Sequence, residues 1–206
     1  MGESGAGKTT SLRNLPPDKT FYFDCDGKGL SWKGWKQQYN SANKNYKVVS
    51  DAKFISAALQ GINEKSPKVK YVVVDTINGI MIDDEFRRMK EKGYDKWQDL
   101  AASVYGLIEL ANNLRDDLTI IFTAHTQTDM LDSGYMFTHI KTSGKKLDKI
   151  VLESKFTTVL LAKANAGKYV FETHAINSTA KTPLGAFEQD EVPNDIMQVL
   201  DALKDY

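Results

Sequence analysis

The sequence predicts an α/β fold, a mostly parallel sheet flanked by helices, and three observations carry that expectation. A glycine-rich run, Gly2-Glu3-Ser4-Gly5-Ala6-Gly7, leads directly into Lys8-Thr9. Short apolar stretches at residues 20–24, 69–75 and 118–124 alternate with amphipathic segments. Two of these stretches end in a carboxylate, Asp24 and Asp75. Strands separated by helices run parallel, because the chain returns along each helix before adding the next strand.

Taken in order, residues 8–15 read as a short helix stopped by Pro16-Pro17, since proline has no N–H to continue it. A buried strand follows at 20–24. Residues 27–47 are the most irregular stretch, with five lysines and no acid among Trp32, Trp35, Tyr39 and Tyr46, before Val48-Val49 resume a short strand. Ser50 is placed to cap a helix whose apolar positions Phe54, Ile55, Ala58, Leu59 and Ile62 recur at helical spacing, and Pro67 closes the loop before strand 69–75. Residues 80–91 and 96–115 read as helices, the second through Trp97, Leu100, Ala101, Val104, Ile108, Ala111 and Leu114. The strand at 118–124 comes next.

From 126 to 144 the apolar period is lost, and Asp132, Ser133 and Gly134 mark a mobile loop leading to a basic helix around 145–153. Residues 156–163 and 168–173 flank Ala164-Asn165-Ala166-Gly167, which reads as a C-terminal β-hairpin. A last amphipathic helix carries Ile196, Val199, Leu200 and Leu203 after Pro193-Asn194. Residues 1–206 are expected to form a single domain, a size that buries a substantial core.

The 27 basic and 27 acidic side chains cancel, so any polyanion has to meet a local patch rather than a global field. Cys25 is the only cysteine, which excludes an internal disulfide, and no apolar run reaches the roughly 18 residues of a membrane span. With no leader pattern at the start, a cytoplasmic setting without membrane attachment is expected.

The glycine-rich run has the chemistry of a phosphate cradle: successive backbone N–H groups wrap an anion, and glycine permits the close approach. Gly2, Glu3, Ser4, Gly5, Ala6, Gly7, Lys8, Thr9 and Thr10 are the expected nucleotide-binding set, with ATP and Mg²⁺ as ligands. Lys8 is suited to the β- and γ-phosphates, Thr9 to magnesium and Thr10 to the α-phosphate. A plain glycine-rich turn is the simpler alternative. Asp75, at the end of Tyr71-Val72-Val73-Val74, stands where such enzymes keep the metal-side aspartate.

Phe21-Tyr22-Phe23 runs into Asp24-Cys25-Asp26, and either acid is placed to orient an attacking water or merely to cap a turn. Asp26 is the catalytic candidate, and Cys25 reads as a packed thiol. His125 and Gln127, after the strand at 118–124, are candidate sensors of the γ-phosphate. Lys141, Lys145, Lys146, Lys149 and Lys155 oppose only Asp148 and Glu153, close to Tyr135 and Phe137. Basic and aromatic residues together suit single-stranded nucleic acid, although a solvated helix face has the same composition. The Trp32, Trp35, Tyr39 segment with Lys28, Lys33 and Lys36 is a second such place.

These residues resemble a known group, the P-loop ATPases of phages and prophages that are remote RecA relatives, including Sak-type single-strand annealing proteins. The resemblance rests on Gly5-Ala6-Gly7-Lys8-Thr9-Thr10-Ser11-Leu12-Arg13-Asn14-Leu15-Pro16, Val74-Asp75-Thr76-Ile77-Asn78-Gly79, Thr123-Ala124-His125-Thr126 and Ile140-Lys141-Thr142-Ser143-Gly144, and spans nearly the whole chain. It implies a RecA-like core, ATP-dependent binding of single-stranded DNA, and a role in recombination or strand annealing in a bacterial host cell. Homo-oligomers and a phage single-strand DNA-binding protein are the further partners it suggests. Asp26 falls where RecA carries a longer glutamate that activates water. The segment 126–144 corresponds to a loop that RecA-like proteins send to DNA, with Tyr135, Phe137, Lys141, Lys145, Lys146 and Lys149 as the expected contacts. The chain starts directly before the glycine-rich loop, so the strand that normally precedes it is expected to be missing.

Two other functions compete with an ATPase of this kind. A small-molecule kinase brings an arginine-rich lid to the phosphates, whereas only Arg13, Arg87, Arg88 and Arg115 occur here. A nucleotide-binding module that assembles with little turnover has the same loop and is separated from the first by an ATPase assay. A GTPase is excluded by the lack of an Asn/Thr-Lys-x-Asp segment.

Overall fold

Side chains alternate across a strand, so an apolar run is stable only where both of its faces are covered. The structure, a computed structural model, describes residues 1–93, 95–130, 132–143 and 151–206. The chain divides into two compact units. One comprises residues 16–123 with the described part of 142–151 and holds the strands β1 (Thr20–Asp24), β2 (Tyr46–Val48), β3 (Tyr71–Asp75) and β4 (Thr119–Phe122). They lie in the order β2-β1-β3-β4 and every pairing is parallel, with Asp24 opposite Asp75 in register.

Between the strands run α1 (Trp35–Gln38), α2 (Ala52–Lys65), α3 (Ile77–Arg87) and α4 (Asp95–Ala111). One sheet face, through Phe23, Cys25, Val72 and Val74, packs on Ile55, Leu59 and Ile62 of α2, Ile80 of α3 and Leu107 of α4. On the other face, Tyr22 meets Tyr39 and Tyr46 at ring-centroid distances of 5.6 and 6.2 Å. Trp32 lies 6.0 Å from Tyr39, and Trp35 lies 5.4 Å from Tyr46. Helices are expected on both faces; around Tyr22 on the second face stands this aromatic cluster, which includes Trp35 of the four-residue α1. Bulky rings fill that space without a helical period, which is why the sequence at 27–47 reads as irregular.

The cap of α2 is Asp51 rather than Ser50: its side chain accepts from the Phe54 N–H at 2.9 Å. That N–H is the main reason its carboxyl lies below the ordinary 3.8, with Arg87 adding to it. Replacing Asp51 by alanine is expected to cost about 1 kcal/mol of stability. A carboxyl whose pKa is depressed on folding stabilises above its unfolded value and loses that contribution as pH falls through the folded one. The difference between wild type and Asp51→Ala in urea denaturation therefore narrows below pH 3.8.

The second unit comprises residues 1–15, 124–141 and 152–206. Here 126–140, read from the sequence as part of a loop over 126–144, forms an antiparallel hairpin of β5 (Thr126–Met130) and β6 (Met136–Ile140). Cross-strand partners such as Thr128 with Thr138, and Gln127 with His139, make a polar ribbon, which leaves no apolar period to detect. The ribbon is anchored where the Thr138 N–H donates to Asn177 O at 2.8 Å and the Ile140 N–H to Glu153 Oε1 at 2.6 Å.

β7 (Leu161–Asn165), β8 (Lys168–Glu172) and β9 (Glu191–Pro193) form an antiparallel sheet in that order, followed by α5 (Ile196–Ala202). Ala166 and Gly167, at φ 48° and 81°, make the two-residue turn between β7 and β8. β9 escapes sequence reading because it is three residues long and includes a proline. Of the helix expected over 8–15, a single 3₁₀ turn forms, Thr10–Leu12. The basic helix expected around 145–153 lies largely outside the described residues, and Leu152–Lys155 forms one 3₁₀ turn.

Ahead of the glycine-rich loop, Met1 and Gly2 pair on both sides. The Gly2 N–H donates to Ala124 O at 3.0 Å, and the Ala162 N–H donates to Met1 O at 2.7 Å. Gly2 is bridged in parallel to both His125 and Ala162, so this two-residue segment occupies a strand position. Among the described residues no helix is long and apolar enough to cross a membrane.

Candidate nucleotide-binding site

Residues 2–9 turn through Gly5 and Gly7, which sit at φ 80° and 91°. A hydrogen bond from the Ala6 N–H to Glu3 O (3.2 Å) closes the loop, and one from the Ser11 N–H to Gly7 O (2.9 Å) leads it into the 3₁₀ turn. Lys8 is only 8% exposed. Its ammonium donates to Gly2 O and Glu3 O, both at 2.8 Å, and lies 3.4 Å from His125 Nδ1. The side chain is thus folded back along the loop, with its charge held at a turn of positive-φ glycines. A Cβ added at Gly5 would meet nothing within 4 Å. Open space over the loop beside an anchored cation fits a phosphate.

His125 reaches this place because Gly2 pairs beside it and the Lys141 N–H donates to its carbonyl at 2.8 Å. Gln127 points elsewhere: on β5 its amide nitrogen lies 3.2 Å from Asp129 Oδ2 and 3.3 Å from His139 Nε2. His139 holds the Asp129 carboxyl below its usual range, with Gln127 adding to that effect. Of the two expected sensors, His125 lies beside Lys8 and Gln127 belongs to the hairpin's own network.

Two residues beside the loop carry no signal in the sequence. A Cβ on Gly7 would lie 2.9 Å from Tyr169 Cδ1 and 3.0 Å from Asn194 Oδ1, so glycine is required there by both φ and space. Tyr169 reads simply as a strand residue of the hairpin, and Asn194 as part of a helix entry. Only tertiary contact brings them to Gly7.

In the other unit the acids at the sheet's carboxyl end divide by role. Asp75 is 1% exposed, and its two carboxylate oxygens accept from Tyr22 Oη at 2.6 Å and from Thr123 Oγ1. Burial, and next the Asp75 charge, push the Tyr22 hydroxyl well above its ordinary pKa, so it stays a donor. Asp24, also buried, accepts from the N–H groups of Gly27 (2.9 Å) and Gly29 (2.8 Å) and from Tyr46 Oη (2.6 Å). Its carboxylate closes that loop, leaving Asp26 as the more accessible of the pair.

Asp26 accepts from Thr76 Oγ1 at 2.8 Å and from Lys28 Nζ at 2.6 Å. Thr76 also caps α3 by accepting from the Gly79 N–H. A Cβ on Gly79 would lie 2.5 Å from Cys25 O, which explains the glycine in the run that follows Asp75. Cys25 is buried, and desolvation, with the Asp75 charge next, pushes its thiol far up, as suits a packed side chain rather than a nucleophile.

Of the expected DNA contacts, Tyr135 is exposed near the hairpin tip, Phe137 stacks 6.1 Å from His139, and Lys141 is exposed at the end of β6. Lys145, Lys146 and Lys149 lie outside the described residues. In the alternative basic segment, Trp32 and Trp35 are taken up by the aromatic cluster.

Residues 1–183 match a family described as an AAA domain, a family of P-loop ATPases. A search of curated protein sequences finds no match. The matched region opens with the phosphate loop and includes the whole parallel sheet and the strand end bearing Asp75. With most of its length matched, and with the α/β architecture expected of such a domain, the chain belongs to this AAA-domain family of P-loop ATPases.

Proposed function

We propose that the chain binds and hydrolyses ATP at residues 2–10 and couples that nucleotide to single-stranded DNA, in the recombination or strand annealing of phage DNA. The observation that carries the nucleotide half is the buried Lys8 ammonium, held over a turn of positive-φ glycines beside His125. The Thr9 hydroxyl and the Asp75 carboxylate are the hard oxygen ligands that the sequence pattern assigns to magnesium, which would draw charge from the transferring phosphate. His125 is the favoured sensor from its place beside Lys8, and Asp26 the candidate base from its place at the end of β1. A RecA-like core in a bacterial host cytoplasm, acting as a homo-oligomer alongside a phage single-strand DNA-binding protein, follows from the resemblance of the motifs.

The DNA half rests on the hairpin β5–β6, where Met130, Tyr135 and Met136 are exposed at its outer end and Lys141 at its base. An exposed aromatic ring on a hairpin that a lysine-rich stretch follows in the sequence suits stacked bases and a tracked backbone. Each phosphate contact removed is expected to flatten the log–log salt dependence of single-strand binding by about 0.7, so replacing Lys141, Lys145 and Lys146 together by alanine should lower the slope by about 2. An unchanged slope moves the site to residues 28–47. ATP hydrolysis measured with and without single-stranded DNA tests the coupling: stimulation supports it, and no strand binding by the intact chain removes the annealing role.

A further inference from the structure

We propose that Tyr169 and Asn194 form the nucleoside end of the phosphate-loop site, with the base of the nucleotide against the Tyr169 ring and the Asn194 amide donating to the nucleoside. This rests on the reading of residues 2–10 as a nucleotide cradle and adds to it the part that recognises something other than phosphate. Both side chains crowd Gly7, the residue before the loop lysine, within 2.9–3.0 Å of where a Cβ would stand. The loop supplies backbone N–H groups and a lysine charge, which suit an anion. An aromatic ring and a neutral carboxamide have no such preference and suit the uncharged end of the same ligand.

Three features show that the place is built. The Asn194 N–H donates to Tyr169 O at 3.3 Å, extending the β8–β9 pairing by one residue and joining the two positions through the backbone. Arg13 then ties Asn194 to the turn after the loop: Nη1 donates to Asn194 O at 2.9 Å and to Thr10 O at 3.1 Å. Asp195 adds a second tie by accepting from Asn14 Nδ2 at 2.7 Å. The Asn194 backbone is therefore fixed against the nucleotide loop from two directions.

The side chain it holds there is unsatisfied. Asn194 is 6% exposed, and its Nδ2 has no hydrogen-bond partner among the described residues. A buried N–H donor without an acceptor is costly, and one aimed at a phosphate loop is accounted for by a ligand acceptor. Tyr169 is the opposite case, 51% exposed although its ring edge rests on the loop. An aromatic ring left open beside a nucleotide cradle presents a face on which a base can stack.

The test compares ATP with inorganic tripolyphosphate, which has the phosphates and no nucleoside, by calorimetric titration and by competition on the full chain with magnesium. Tyr169→Ala and Asn194→Ala are each expected to weaken ATP about tenfold, the loss of one stacking face or one buried donor, and to leave tripolyphosphate unchanged. Tyr169→Phe is expected to keep wild-type ATP affinity, since stacking needs the ring and not the hydroxyl. Equal weakening of both ligands, or unchanged ATP affinity in the alanine variants, overturns the proposal. Because Tyr169 is half exposed, its variants carry the test even if Asn194→Ala does not fold. Lys8→Ala is the separate control: if it binds both ligands as wild type does, the phosphate-loop reading fails first.

Discussion

Lys8→Ala is expected to lower ATP hydrolysis by at least about a hundredfold, the scale seen when a single preorganised donor to developing charge is removed. On the proposed reading the ammonium, held at 2.8 Å by Gly2 O and Glu3 O, is the positive charge of the loop that would follow negative charge onto the transferring phosphate. Binding should weaken as well, because the same charge meets the ground-state phosphates. The measurement is steady-state turnover together with ATP affinity, with a thermal melt to confirm folding. Turnover within about threefold of wild type in a folded variant would remove Lys8 from the chemistry and leave the glycine-rich run as a turn.

The second large effect is expected at Asp75, where two roles have to be separated. Its carboxylate organises two hydroxyls, Tyr22 Oη and Thr123 Oγ1, in a buried position. Asp75→Ala strands both and is expected to cost about 1–3 kcal/mol for each hydroxyl left without its acceptor. Asp75→Asn keeps the shape and an oxygen acceptor while removing the charge. One of the two acceptor oxygens becomes an NH₂ donor, so this variant is expected to cost about 1–3 kcal/mol, roughly half the cost of alanine, and still to lose about a hundredfold in hydrolysis, as loss of a metal-side carboxylate requires. If Asp75→Asn hydrolyses ATP normally while Asp75→Ala unfolds, Asp75 is a structural acceptor for its strand neighbours and the magnesium role falls.

The two replacements also show where the site was legible. Lys8 and Thr9 stand out because a phosphate cradle is a local pattern: the glycines, the lysine and the hydroxyl follow one another along the chain, with the backbone N–H groups such a cradle uses between them. Asp75 is legible more weakly, as a carboxylate at the end of an apolar strand. Its partners are not, since Tyr22 and Thr123 meet it only through the parallel register of β1 and β3 and the hydrogen bonding that continues past β4. Asp24 and Asp26 look equivalent in sequence, and the loop that Asp24 closes onto Gly27 and Gly29 is what distinguishes them.

The sequence by itself determined the β-α alternation, the three principal strands of the parallel sheet, the amphipathic helices α2 and α4 and the phosphate loop. Each is encoded within a few residues, as a period of 2, a period of 3.6 or a run of glycines ending in lysine. Tertiary structure alone decided that 126–140 pairs as a hairpin, that aromatic rings gather around Tyr22 on the second sheet face, that Met1 and Gly2 occupy a strand position, and that Tyr169 and Asn194 stand against Gly7. A polar ribbon, an aperiodic cluster of rings and a two-residue strand leave no repeating pattern to detect. Contacts between residues more than 160 positions apart depend on how loops close in space, and no local spacing encodes that.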